Sequence, residues 1–228
     1  TTLFRSERWD TFPNGLNYEV IDNNPVWARF STPEYFNRIT VDSNGDIYTI
    51  EPKGDWFPGT VLKWRNYNPT TRTWSHRIIS DDDHDFIVAA GGGVIYSRVG
   101  SYVSRFRYDP ASQRLTRGID DASRPSDWGA LTRAFSIGGD VIYGVKGNGD
   151  LVWYRYDENS NTWANPHGNL VSTGWQNDYE TFAAPDSCRR TDYTAPIRPQ
   201  VTPQPNAPVT LLQTSNGHLQ RSDRKHVV

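Results

Sequence analysis

Aromatic side chains next to short polar ones occur in two segments of the sequence, and this combination suits ligand binding. The segment SDWGAL contains Asp127 and Trp128, and TGWQNDY contains Trp175, Asn177 and Tyr179. An indole can stack on the apolar face of a pyranose ring while nearby amides and carboxylates bond its hydroxyls. The alternative is that each tryptophan fills a gap between sheets. The sequence leaves both interpretations open.

A further group of candidate binding residues precedes Trp175. Trp163, Asn165 and His167 lie in a loop-like stretch, which we take as the richest candidate pocket. The corresponding stretch TRGIDDASRPSDW, residues 116–128, has carboxylates and arginines but no aromatic residue before its last position. The two stretches are therefore not expected to bind identically.

No metal site or catalytic motif stands out. The acidic run DDDHD, residues 81–85, is interpreted as a solvated turn, because contiguous residues rarely converge on one ion without partners elsewhere. The stretch VDSNGDIY, residues 41–48, lacks the closing glutamate of a calcium loop and predicts a hairpin turn. No nucleophile elbow, phosphate-binding loop or zinc-protease motif occurs, so we expect no catalytic residue, no metal and no cofactor.

Composition excludes several kinds of partner. The 228 residues include 24 Lys and Arg against 26 Asp and Glu, without a basic patch for nucleic acid. No apolar run is long enough to insert into a membrane. The single cysteine, Cys188, allows no intrachain disulfide, so it is either buried or able to link a homodimer. A secreted or extracellular location is the expectation.

The chain repeats a strand pattern at nearly constant spacing. Tyr48, Tyr96 and Tyr143 each close a similar segment (GDIY, GVIY and DVIY) and lie 48 and 47 residues apart. Repeats of about 40–50 residues with several short strands are typical of β-propellers. We predict one all-β propeller domain over residues 1–228, with five blades of four short antiparallel strands closed by strands from both termini. The expected units are 1–35 plus a C-terminal strand, 36–85, 86–132, 133–180 and 181–228.

The unit VIYGVKGNGDLVWYR…W…G…V…GW…Y…F, best defined over residues 135–182, resembles the repeat of the tachylectin-2 family of lectins. The resemblance implies a five-bladed propeller that binds N-acetylated amino sugars in crevices between adjacent blades, without catalysis. It implies glycans or glycoproteins on cell surfaces as partners, bound multivalently because several weak sites act together.

Three alternatives have some support from the sequence. A propeller glycoside hydrolase would use inward carboxylates, but Asp46, Asp140 and Asp150 are interpreted as turn formers beside glycines. A kelch-like interaction propeller would explain the hairpins RYDPASQRL and RYDENSNTW. A four-bladed hemopexin-type propeller normally closes with a disulfide, which one cysteine cannot form.

Overall fold

The computed structural model describes the chain in five stretches. They are residues 6–12, 15–22, 24–54, 57–118 and 127–177, with side chains from Asp22 to Gln176. The chain divides into two compact units, with a boundary between Ala28 and Arg29. None of the helices within the described stretches is long and apolar enough to cross a membrane.

The described part of the first unit is a β-hairpin. Strand β1 (Ser6–Phe12) pairs antiparallel with β2 (Gly15–Asp22). The Asp22 carboxylate accepts hydrogen bonds from the Asn24 backbone N–H at 2.8 Å and from the Trp27 indole at 2.7 Å. This carboxylate thereby fixes the path of the chain into a 3₁₀ helix, Pro25–Ser31.

The second unit contains three antiparallel sheets, in each of which successive strands pair as a meander. The first sheet comprises β3 (Ile39–Val41), β4 (Ile47–Pro52), β5 (Thr60–Asn68) and β6 (Thr73–Ser80). The second comprises β7 (Phe86–Ala89), β8 (Val94–Val99), β9 (Tyr102–Asp109) and β10 (Arg114–Arg117). The third comprises β11 (Leu131–Gly138), β12 (Val141–Lys146), β13 (Leu151–Asp157) and β14 (Thr162–Trp163), and β15 (Asn169–Ser172) also pairs with β13.

Short 3₁₀ helices connect these elements at Pro33–Arg38, Trp128–Ala130 and Trp175–Asn177. The three sheets lie within residues 39–80, 86–117 and 131–172, and the division into units 36–85, 86–132 and 133–180 stays a prediction. The all-β class and the three antiparallel sheets of four or five strands agree with the sequence prediction. Five blades and closure by both termini stay predictions, since residues 181–228 lie outside the described stretches.

The second sheet buries both of its faces, and its alternating side chains show how. Val88 and Tyr96 point into a cluster shared with the third sheet, whereas Ile87 and Ile95 belong to a cluster shared with the first. Successive side chains of a strand point to opposite faces, so one apolar strand can supply two cores. Strand β7 accordingly contacts both β3 and β11, which places the first strands of the three sheets side by side.

Local turn chemistry follows the sequence where glycine and asparagine occur together. Gly149 adopts a φ of 89° in the predicted turn between β12 and β13, a conformation that residues with a β-carbon rarely adopt. The stretch 41–48 forms the predicted hairpin turn, in which the Gly45 N–H donates to the carbonyl of Asp42 at 3.0 Å.

The acidic run 81–85 does connect the first sheet to the second, but His84 departs from the predicted solvated turn. Its side chain is 5% exposed, and its Nδ1 lies 2.6 Å from the hydroxyl of Ser97. Its Nε2 lies 3.3 Å from the hydroxyl of Ser80. Burial lowers the pKa of His84, an effect that the neighbouring aspartates Asp82, Asp83 and Asp85 only partly offset.

Two buried carboxylates hold charged groups within the sheets. Glu51 accepts hydrogen bonds from Lys63 at 2.8 Å, Arg65 at 2.7 Å and Thr49 at 2.7 Å. Burial by itself raises the pKa of Glu51, but these three donors outweigh it and the pKa is lowered. Asp140, a further buried carboxylate, pairs with Arg105 of the second sheet.

Candidate functional site

Trp128 and Trp163, both sequence candidates for a sugar platform, lie in the core between the second and third sheets. Trp128 is 0% exposed and Trp163 is 7% exposed. Their ring centroids are 5.9 Å apart, and both rings contact Tyr96 and Tyr154. Both indoles are buried among aromatic side chains, and a role for them in sugar binding stays a prediction.

Asp127 lies at the edge of this core and joins two strands of the third sheet. One carboxylate oxygen accepts from the Tyr154 hydroxyl at 2.9 Å, and the other lies 2.6 Å from the Lys146 ammonium. Burial raises the pKa of Tyr154, and the bond to Asp127 raises it further, so this hydroxyl stays protonated and keeps donating.

Asn165 and His167 have different environments despite their proximity in sequence. The side-chain oxygen of Asn165 accepts a hydrogen bond from the backbone N–H of Arg155 at 2.8 Å. Its side-chain NH₂ donates to the backbone carbonyl of Trp153 at 2.5 Å. This 8% exposed side chain is therefore used in holding β13. His167 is exposed, on the turn before β15.

Trp175 is the one candidate tryptophan of the described stretches with a partly exposed side chain. Its indole N–H donates to the Ser172 hydroxyl at 2.5 Å, and its carbonyl accepts from Arg133 at 2.7 Å. The ring packs beside a small cluster of Phe135, Val145 and Leu151. Asn177 ends the same 3₁₀ helix, where only its backbone is described, and Tyr179 lies outside the described residues.

An open pocket of about 280 Å³ lies next to Trp175. Its walls come from the 3₁₀ helix Pro33–Arg38, the start of β11, the end of β12 and the residue after Trp175. The lining residues are Pro33, Phe36, Asn37, Thr132, Arg133, Lys146, Gly147 and Gln176.

One hydrogen bond ties the helical wall of this pocket to the third sheet. The Asn37 amide donates to the carbonyl of Thr132 at 2.6 Å, across 95 residues of sequence. Two of the predicted site residues contact lining residues of this pocket. Asp127 pairs with Lys146, and the Trp175 carbonyl accepts from Arg133. The predicted candidates Trp128, Trp163 and Asn165 are buried, and their part in a binding site stays a prediction.

The sequence interpretation missed most of this pocket. Its residues come from four separate segments, and no local motif marks any of them. The only indications in the sequence are that Phe36 begins the predicted unit 36–85 and that Gln176 follows Trp175 in the segment TGWQNDY. Among the described residues, no cluster of three or more His, Cys, Asp or Glu side chains could hold a metal ion.

Three meander sheets, stacked so that their first strands adjoin, define an all-β protein of a kind compatible with a β-propeller. A pocket with mixed polar and apolar walls, one of them aromatic, opens beside the third sheet. Against known families, the model described as Tachylectin matches residues 5–181. The chain belongs to the tachylectin family.

Other comparisons add little. The chain is similar to the crystal structure of puromycin hydrolase, with 17% sequence identity and a TM-score of 0.34. That match covers 58% of this chain and 21% of the hydrolase chain, and a likeness of this size carries no information about function. The search of curated proteins finds no significant match.

Proposed function

We propose that this protein is a non-catalytic carbohydrate-binding protein, a lectin. The observation that carries the proposal is membership of the tachylectin family over residues 5–181. Sugar sites combine an apolar surface with a few fixed polar groups. The region around Trp175 has this combination, because a partly exposed indole is followed directly by Gln176, and Arg133 donates to the Trp175 carbonyl.

The finer features of the proposal follow the family resemblance. The ligands are N-acetylated amino sugars, bound between adjacent blades of a five-bladed propeller that both termini close. Such a ring would hold several weak sites, and a glycan-covered surface would engage them together by effective concentration. A secreted protein would meet such surfaces, and Cys188 would offer a route to a homodimer.

A fluorescence titration tests the proposed site. The chain has nine tryptophans, so sugar binding near an indole changes the emission. Titration with N-acetylglucosamine is expected to give a saturable change that Trp175→Leu weakens by about tenfold, a loss typical of one aromatic contact of about 1.4 kcal/mol.

The matched control is Trp74→Leu. Trp74 is a partly exposed tryptophan of the first sheet, and its ring centroid lies 5.2 Å from that of Tyr67. This variant should lose a similar amount of aromatic surface and keep sugar affinity. Equal affinity in both variants, with circular dichroism unchanged, would remove Trp175 from the site.

A further inference from the structure

The pocket beside Trp175 contains two cations and one adjacent carboxylate. Lys146 is neutralised, because its ammonium lies 2.6 Å from the carboxylate of Asp127. Arg133 has a different environment: its guanidinium donates to the backbone carbonyl of Trp175 at 2.7 Å and pairs with no carboxylate among the described residues. The described pocket therefore carries one uncompensated positive charge.

The remaining lining groups suit a sugar ring. Phe36 supplies a partly exposed aromatic wall. The side-chain amide of Asn37 donates to the Thr132 carbonyl. The side-chain oxygen of Asn37 can therefore accept a hydrogen bond from a sugar hydroxyl. Gln176 also lines the pocket, is exposed, and can donate or accept. A volume of about 280 Å³ is at the lower end of ligand pockets and fits one ring better than a chain of rings.

We propose that this pocket binds a sugar that carries a carboxylate, with Arg133 holding the carboxylate. The inference rests on the proposed lectin function and adds a second ligand class to it. The planar guanidinium matches a carboxylate through two parallel N–H donors, and one donor already bonded to Trp175 fixes its orientation. A neutral sugar would leave the Arg133 charge uncompensated.

The test compares three sugars that differ at one carbon. D-glucuronic acid has a carboxylate where D-glucose has a hydroxymethyl group, and D-glucuronamide has a neutral amide of the same shape. We expect glucuronate to bind the full chain about tenfold or more tightly than either neutral sugar at pH 7, since hydrogen bonds to charged groups are the stronger ones. Calorimetric or NMR titration measures the three dissociation constants.

Two variants assign the preference to this pocket. Arg133→Gln should bring the ratio of glucuronate to glucose affinity close to one. Gln176→Glu adds a negative charge at the wall without changing Arg133, and should lower the same ratio. Arg114→Gln removes an equal charge from an exposed position on β10 of the second sheet and should leave the ratio unchanged.

Titration with sodium acetate distinguishes a site that recognises a sugar carrying a carboxylate from a site that binds any carboxylate. Acetate binding as tightly as glucuronate would overturn the proposal, as would a wild-type ratio near one or a ratio unaffected by Arg133→Gln. If neutral N-acetylated glycans still bind in such a case, the lectin function stands and only this inference fails. If no glycan of any kind binds, both fail. Because Gln176→Glu changes an exposed side chain, it gives a result even if Arg133→Gln proves unstable.

Discussion

Replacing Asp140 by Asn should expose how strongly one buried ion pair joins the second and third sheets. Asp140 and Arg105 have side chains that are each 2% exposed. The guanidinium donates to the two carboxylate oxygens at 2.9 and 3.0 Å, and the Tyr96 hydroxyl donates to one of them at 2.6 Å. The substitution keeps the shape of the side chain and removes its charge.

The magnitude follows from the charge that remains. Burial alone would lower the pKa of Arg105, but Asp140 outweighs it and the pKa is raised, so Arg105 stays charged at every accessible pH. Removing one partner of a buried pair costs about 3–5 kcal/mol. Glu158 lies 3.3 Å from Arg105 and compensates in part. We therefore expect Asp140→Asn to lower the free energy of unfolding by about 3 kcal/mol, the lower end of that range.

Urea denaturation followed by circular dichroism measures this free energy. The matched control is Glu158→Gln, which neutralises the other carboxylate near Arg105. The Glu158 side chain is 40% exposed, and exposed ion pairs contribute up to about 1 kcal/mol. If Asp140→Asn lowers the free energy of unfolding no more than Glu158→Gln does, the predicted contribution of the buried pair is wrong. The buried pair would then contribute no more than an exposed one.

Three further outcomes are expected from the sheets. Because the pKa of His84 is lowered in the folded chain, the unfolded chain binds this proton at a higher pH. The free energy of unfolding should therefore fall as pH drops below about 6.5. His84→Gln should flatten that part of the curve in urea denaturation at several pH values. The lowered pKa of Glu51 should remove stability as pH falls through about 4.5, and Glu51→Gln should flatten this acid limb. Gly168→Ala should lower the melting temperature more than Gly139→Ala. Both glycines have positive φ, but only at Gly168 would the new β-carbon meet a side chain, the ring of Tyr154 at 2.9 Å. An unchanged pH dependence of stability in His84→Gln or Glu51→Gln would contradict the role given to that residue. Equal losses of melting temperature in Gly168→Ala and Gly139→Ala would contradict the predicted clash with Tyr154.

Hairpins were predictable because their signals are local. The alternation in LVWYRY and the glycine of GNGD set β13 and the turn before it, and both occur where the sequence indicated. Tyr48, Tyr96 and Tyr143 also lie near the starts of β4, β8 and β12, as the spacing predicts. Strand period and turn chemistry require no knowledge of distant residues.

The burial of a particular aromatic was not predictable in the same way. Trp128 and Trp175 occupy matching sequence positions, yet one is fully covered and the other partly exposed. The difference lies in the neighbours that cover each ring, which include Trp163 and Tyr154 for Trp128. His84 illustrates the same point, because its buried ring contacts Ser97 of strand β8, which is distant in sequence.

The pocket was beyond sequence reasoning for a geometric reason. Asn37 and Thr132 meet across 95 residues, and Arg133 meets Trp175 across 42. Neither pair belongs to a motif of fixed spacing. Only the packing of the 3₁₀ helix Pro33–Arg38 against the third sheet brings these groups together.

Binding of the intact chain to a glycan array, with folding verified by circular dichroism, tests directly whether the protein is a lectin. We expect specific binding to N-acetylated amino sugars, competed by the free sugar. Absence of binding to every glycan on the array by a folded chain would contradict the assignment as a lectin.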